Sequence, residues 1–284
     1  MNRTTDWYQV ENLTDHTVQL SEGAPTLPAR IFVIRGEEST LVTDAGLGIG
    51  DLRSLVADLC DSPPRLFLTH SHWDHIGNAS QFDDVAINDI ERPSNGLVAI
   101  DSLTDEFTER PRAFTERFLA DGGRFPDVFE PDEYEISPRP DVDGISDGHE
   151  FDLGERRLEA IHTPGHSPGH TVLLDRDSGI LYGGDIIHFD LGLYVHFDDC
   201  DLVDLEASLS GLVDLFESGA YDTLLTCHNP PVRGADLSIL QRLQTGLEAL
   251  LDGELAFREV ETDYGPAHAY DIDGSTVLTK PIAF

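Results

Sequence analysis

His70, His72, Asp74 and His75 fall within six residues, in the run Leu66-Phe67-Leu68-Thr69-His70-Ser71-His72-Trp73-Asp74-His75-Ile76-Gly77. No other segment constrains this chain so tightly. Leu66 to Thr69 reads as the end of a strand, so the four polar side chains stand where the chain leaves the sheet. A hydrocarbon core has no use for that much polarity at one spot, because each imidazole and the carboxylate would need a buried partner. A metal ion supplies one. His70 and His72, two apart at the end of an extended segment, turn toward a common ion, whereas Asp74 and His75 follow in the turn and point elsewhere. The spacing therefore predicts two neighbouring ions, in the manner of sites whose ions lie roughly 3.5–4 Å apart and share one water or hydroxide.

Further ligands are expected downstream. His166 sits in the Pro/Gly-punctuated turn Thr163-Pro164-Gly165-His166-Ser167-Pro168-Gly169-His170, between apparent strands Leu158 to His162 and Thr171 to Asp175. Such a turn makes a rigid ligand loop. Gly183-Gly184-Asp185 ends a strand over Ile180 to Tyr182 and offers a carboxylate able to bridge two ions. A strand over Tyr221 to Thr226 delivers His228. In this order the residues resemble the metallo-β-lactamase fold superfamily of metallohydrolases, over roughly residues 30 to 230. The resemblance implies that His70, His72 and His166 hold the first metal, that Asp74, His75 and His228 hold the second, and that Asp185 bridges them. It also implies that Asp44, in Leu41-Val42-Thr43-Asp44-Ala45-Gly46, orients a ligating histidine.

Several residues near these motifs invite over-reading. His170 follows His166 by four and reads as a structural residue behind the ligands. Cys60, Cys200 and Cys227 show no disulfide spacing, and Cys227 reads as a small buried residue. His188, three residues after Asp185, stands where the acyl-homoserine lactonases of this superfamily carry a tyrosine. Histidine as a residue type titrates near neutral pH, so His188 is a candidate to polarise the scissile carbonyl or protonate a leaving group. The alternative is a histidine bonded to a backbone carbonyl.

A chain of 284 residues suffices for one large domain, expected to span 1–284, with 91–147 as a partly helical insert near the site. Phe107, Phe114 and Phe118 recur in the insert at helical spacing, either packed against the body or presented to a substrate as a lid. Leu47 to Cys60, Leu202 to Ser218 and Ala235 to Leu251 read as helices. Tyr8 to Glu11, Arg30 to Arg35, Thr40 to Asp44, Arg65 to Thr69 and Asp84 to Asn88 read as strands, with two or three closing strands after Glu254. Strands then helix, twice over, suit an α/β fold with two mixed sheets packed face to face and helices outside. This agrees with the four-layer αβ/βα sandwich that the resemblance implies.

Acidic side chains number 54 against 18 basic ones, a formal net charge of −36, and Lys280 is the only lysine. Self-repulsion of this size weakens a compact state in dilute buffer and is screened in molar salt, where the Debye length is about 3 Å. The pattern resembles proteins of salt-accumulating halophiles. It offers no basic track for nucleic acid. No apolar run reaches membrane-spanning length and Met1 to Asp15 is polar, so a cytoplasmic protein without membrane or nucleic-acid partners is expected.

The reading is a hydrolase that uses two divalent ions, zinc by expectation with iron or manganese as alternatives, on a small-molecule ester, thioester or lactone through a metal-bridging hydroxide. Asp74 and His188 are the candidates for moving a proton. A bridging aspartate resembles glyoxalase II and the lactonases, and β-lactam-cleaving enzymes generally lack it. The competing readings are an iron-dependent persulfide dioxygenase, a phosphodiesterase or phosphotriesterase, and a binding protein without catalysis.

Overall fold

The computed structural model describes residues 3–24, 27–92, 94–99, 110–189, 192–262 and 265–280. The chain divides into two compact units, the first formed by Met1–Ser146 with Glu150–Arg157, the second by Asp147–His149 with Leu158–Phe284.

The first unit holds a mixed sheet of strands β1 (Arg3–Thr4), β2 (Tyr8–Asn12), β3 (Thr17–Glu22), β4 (Arg30–Arg35), β5 (Thr40–Thr43), β6 (Pro64–Leu68), β7 (Val85–Asn88) and β8 (Asp143–Ile145), side by side in chain order. Pairing is antiparallel from β1 to β5 and parallel from β5 to β8. β4 to β7 are short apolar runs buried along almost their whole length, as strands covered on both faces must be. Because β5 and β6 are parallel, both chains leave the sheet at the same edge, and this brings Asp44 beside Thr69.

Helix α1 covers Leu52–Ala57, shorter than the Leu47 to Cys60 span that periodicity suggests. Gly46 and Gly48 take φ of 62° and 83°, so the segment before α1 is a tight loop, and Asp51 starts the helix by accepting the Ser54 N–H at 3.0 Å. Helix α2 (Trp73–Ile76) is one turn inside the histidine run, and α3 (Arg110–Ala120) lies in the insert. Phe107 falls outside the described residues. Phe118 is buried between Trp7 and Phe125, with ring centroids 5.9 and 4.7 Å away, and Phe114 lies 5.7 Å from Trp73. These two aromatics of the insert pack into the first unit, one of them onto α2. β3 has no counterpart among the expected strands: its run Thr-Val-Gln-Leu-Ser-Glu lacks a clean apolar stretch.

In the second unit, strands β10 (Arg157–His162), β11 (Thr171–Asp175), β12 (Ile180–Tyr182), β14 (Thr223–Leu225) and β15 (Val232–Arg233) run side by side in the order β15-β14-β12-β11-β10; the short strand Glu150–Asp152 of the first unit is β9. A second sheet has the order β13-β18-β17-β16, with β13 at Leu193–Val195 and the three closing strands at Arg258–Thr262, Gly265–Ile272 and Ser275–Thr279. Helices α4 (Leu202–Glu217) and α5 (Ser238–Leu251) face each other through Leu205, Leu209 and Leu212 on one side and Leu240, Leu243, Leu247 and Leu250 on the other. The repeat at three and four residues is an apolar stripe, and Val172, Leu174, Leu181 and Leu224 of the sheet complete this core. The start expected at Ala235 is a single 3₁₀ turn, Gly234–Leu237, before α5 proper. Mixed sheets with helices place the protein in the α/β class, as its sequence suggests.

Candidate metal centre

In the first unit, Asp44 is the organising residue. Its Oδ1 accepts the Thr69 N–H at 2.8 Å, the Thr69 hydroxyl lies 3.0 Å from both carboxylate oxygens, and His75 Nδ1 stands 3.1 Å from Oδ2. Asp44 has φ of 61°, a left-handed conformation that an L-residue keeps only when its surroundings over-determine it. His75 thus turns Nδ1 toward this carboxylate and Nε2 toward Asp74. Thr69 Oγ1 also lies 3.0 Å from His70 Nδ1. With the Thr69 proton given to Asp44, His70 donates from Nδ1 and likewise presents Nε2.

His72 caps the one-turn helix α2, and the His75 N–H donates to its carbonyl at 3.0 Å. The rings of His72 and His75 come within 4.4 and 4.0 Å of the His70 ring, centroid to centroid, and all three imidazoles are buried. Asp74 Oδ2 is 3.9 Å from His75 Nε2. The turn is stitched to the loop after β5: Ala45 N–H donates to His75 O at 2.7 Å, Gly77 N–H to Gly46 O at 2.9 Å and Asn78 N–H to Ala45 O at 3.1 Å. At Gly77 a Cβ would sit 2.3 Å from Gly48 N and Leu47 C, so only glycine lets the two backbones approach.

Glu22 lies beneath that loop. Its carboxylate accepts Leu47 N–H at 2.7 Å and Trp7 Nε1–H at 2.8 Å, and burial lifts its carboxyl to about 7 in spite of both hydrogen bonds. Sequence reasoning missed Glu22, since no spacing links it to Leu47.

In the second unit, β12 and β14 are parallel neighbours, so Asp185 and His228 leave the sheet at one edge. His166 comes from the turn between β10 and β11. Gly165, with φ of 129°, lies against the start of α4, where a Cβ would be 2.4 Å from the Leu205 backbone; Asp201 N–H donates to Gly165 O at 2.9 Å and Ser208 Oγ–H to Pro164 O at 2.7 Å. His166 Nδ1 lies 3.2 Å from the Tyr194 carbonyl, to which it donates, so Nε2 faces inward. His170 has the structural place expected of it. Its Nε2 accepts the Asp185 N–H at 3.1 Å, which puts its proton on Nδ1, 2.9 Å from Thr163 Oγ1.

Three imidazoles converge on one oxygen. Nε2 of His166, His188 and His228 lie 3.5, 3.1 and 3.2 Å from Asp185 Oδ2. The ligand atoms of Asp185, His188 and His228 all lie within 4.8 Å of one another, close enough to hold one divalent ion. Asn229 is a second residue that sequence reasoning missed. Its Oδ1 accepts the Phe189 N–H at 2.9 Å, and its Nδ2–H donates to Ile187 O at 2.6 Å and Thr226 Oγ1 at 2.9 Å. Cys227 is buried, and none of the three cysteines is in a disulfide. Among the described residues no helix is long and apolar enough to cross a membrane.

Comparison with known proteins gives this donor set its context. The acyl-coenzyme A thioesterase MBLAC2 of Gallus gallus is 29% identical over 215 residues, 70% of this chain and 72% of its own; the Homo sapiens protein is 27% identical over 237 residues, 78% and 81%. A metallo-β-lactamase from Pontibacter korlensis superposes with a TM-score of 0.57 at 16% identity, covering 85% of this chain and 99% of its own. A metallo-β-lactamase family protein from Thermus thermophilus gives 0.57 at 22% identity, covering 87% and 85%. These two similarities concern the fold. The sequence profile of the metallo-β-lactamase superfamily matches residues 24–235. The chain therefore belongs to the metallo-β-lactamase superfamily, and it is a metal-binding hydrolase with that α/β fold of mixed sheets flanked by helices.

Proposed function

We propose that this hydrolase is a dinuclear thioesterase of small acyl thioesters, with esters and lactones as related substrates of the same chemistry. The observation that carries the choice of thioester is the similarity to acyl-coenzyme A thioesterases over 70% to 78% of the chain. The ligands in this reading are His70, His72 and His166 for one ion, Asp74, His75 and His228 for the other, and Asp185 between them. Zinc suits such an imidazole and carboxylate set, and iron and manganese are the ions against which it has to be distinguished. Two divalent ions bound there supply hydroxide at neutral pH and a Lewis acid for the scissile carbonyl.

The protein's own residues do the rest. Asp44 holds Thr69, and through it the tautomer of His70, so that ring needs no reorganisation during turnover. Asp74, whose side chain is partly exposed, is placed to carry a proton to the departing group. A likeness to glyoxalase II and the lactonases rests on Asp185. The acidic excess supports a halophilic setting, with the protein working in concentrated salt.

The test joins metal content by inductively coupled plasma mass spectrometry, on protein purified in molar KCl, to turnover of acyl thioesters, p-nitrophenyl esters, lactones and bis-p-nitrophenyl phosphate. Thioester cleavage abolished by His72→Ala and by Asp185→Asn is the expected result. Cleavage of the phosphodiester alone, or a protein that takes up no transition ion, refutes the reading.

A further inference from the structure

His188 is a buried imidazole beside Asp185 that the superfamily resemblance leaves without an assigned role. It is 7% exposed, and its Nε2 lies 3.1 Å from Asp185 Oδ2, the same oxygen that His228 Nε2 approaches at 3.2 Å. Asp185, His188 and His228 offer ligand atoms that all lie within 4.8 Å of one another, and the rings of His188 and His228 are 4.8 Å apart. Short as it is, the contact from His188 to Asp185 is not a hydrogen bond, and neither ring nitrogen of His188 has a hydrogen-bond partner. An imidazole buried with both nitrogens unsatisfied is costly, and a nitrogen lone pair set about 3 Å from a carboxylate oxygen, off the direction of any N–H, is repulsive unless a cation lies between them.

The backbone carrying this ring is pinned on both sides. Asn229 holds the carbonyl of Ile187 and the N–H of Phe189, the two peptides that flank His188. A ligand whose lone pair must meet an ion within a few tenths of an ångström depends on such clamping.

We propose that His188 is a metal ligand through Nε2, sharing an ion with Asp185 and His228, and that Asn229 is its positioning residue. The inference rests on the metal centre of the proposed function and replaces the proton-donor role considered for His188. Once Nε2 is committed to an ion it has no proton to give, so leaving-group protonation falls to Asp74.

The experiment uses the full chain in molar KCl, loaded with Zn(II) or Co(II) alone. Chelator competition should show that His188→Phe weakens one of the two ions by more than the ~10–100-fold typical of losing a residue that merely orients a ligand, while the other ion is held as before. Its Co(II) absorption should shift, and excess metal should restore part of its turnover. Asn229→Ala, which keeps the imidazole, should weaken that same ion by less. A His188→Phe protein that binds both ions with native affinity and an unchanged Co(II) spectrum overturns the proposal. If that variant does not fold, the native Co(II) protein decides: His188 adds one exchangeable hyperfine-shifted imidazole N–H to those of His70, His72, His75, His166 and His228, and its absence overturns the assignment. A native protein that binds no ion defeats the proposed function as well, so the two failures are distinguishable.

Discussion

Replacing Glu22 by glutamine should change how the stability of the first unit depends on pH. In the fold the Glu22 carboxyl keeps its proton up to about pH 7, whereas its ordinary value is 4.5. Between those limits the folded state therefore binds the proton that the unfolded chain has released, and stability falls as pH rises, by ~1.4 kcal/mol per pH unit. Across the whole window the loss is about 3 kcal/mol, complete once pH exceeds about 7. The cause is burial, which outweighs the hydrogen bonds from Trp7 Nε1 and the Leu47 amide. Glutamine cannot ionise, so Glu22→Gln should lack this term. It has only one acceptor oxygen for two donors, which costs an additional ~1–3 kcal/mol that does not vary with pH. The assay is urea unfolding followed by tryptophan fluorescence, from pH 4.5 to 8, in molar KCl with a chelator present so that metal loss contributes to neither protein. The native protein should lose about 3 kcal/mol relative to the variant as pH rises. A native-minus-variant difference that stays constant across the range refutes the reasoning, whatever its absolute size.

Three further expectations follow from the same geometry. Asp44→Asn keeps a residue type that tolerates the φ of 61° but sets an amide N–H against the two donors of Thr69, so metal affinity by chelator competition should fall ~10–100-fold with the fold intact by circular dichroism; native affinity would count against a positioning role for Asp44. Gly77→Ala has an ordinary φ of −52°, so its effect is purely steric: with a Cβ 2.3 Å from backbone atoms of residues 47 and 48, unfolding free energy should drop by ~1–3 kcal/mol, and a drop below about 0.5 kcal/mol would show that the loop yields freely. The melting temperature should climb from low salt to molar KCl as the charge of −36 is screened, and a flat profile would remove the halophilic reading.

How much of this was readable beforehand depends on how local each signal is. His70 to His75 announce themselves because several metal-competent groups share six positions, and Asp185 and His228 are legible as polar residues just past short apolar strands. Within each unit the structure adds why two strand ends lie side by side: β5 with β6 in the first, and β12 with β14 in the second, are parallel neighbours, a fact of pairing that no single segment carries. Where conformation is set by distant partners, the sequence is mute or misleading. The Leu52, Leu55 and Val56 stripe extends on paper back to Leu47, yet the helix begins only at Leu52, because Gly46 and Gly48 are held at positive φ in a loop that packs against Gly77. Glu22 and Asn229 carry no motif at all. One is joined to Leu47 across 25 positions and the other to Ile187 across 42, and in each case the informative quantity is a hydrogen bond from a side chain to a remote peptide group.

The same distinction applies to His188, whose role depends on direction and not on spacing. Three residues after a candidate bridging carboxylate, an imidazole is equally consistent with a proton donor and a ligand, since both roles need the ring near the reacting centre. What separates them is direction: a donor aims an N–H, a ligand aims a lone pair, and spacing along the chain says nothing of either. The 3.1 Å approach to Asp185 without hydrogen-bond geometry, on a backbone pinned by Asn229, is a directional observation. On the proposal that His188 is a ligand, an ion held by Asp185, His188 and His228 would carry an extra nitrogen ligand and be a weaker Lewis acid than one with a water in that place, and His188 would not be an additional acid beside the substrate. A pH profile of kcat/KM for His188→Phe with metal restored separates the two. A donor's removal deletes the basic limb, whereas a ligand's removal leaves both limbs and displaces the acidic one as the ionisation of metal-activated water moves.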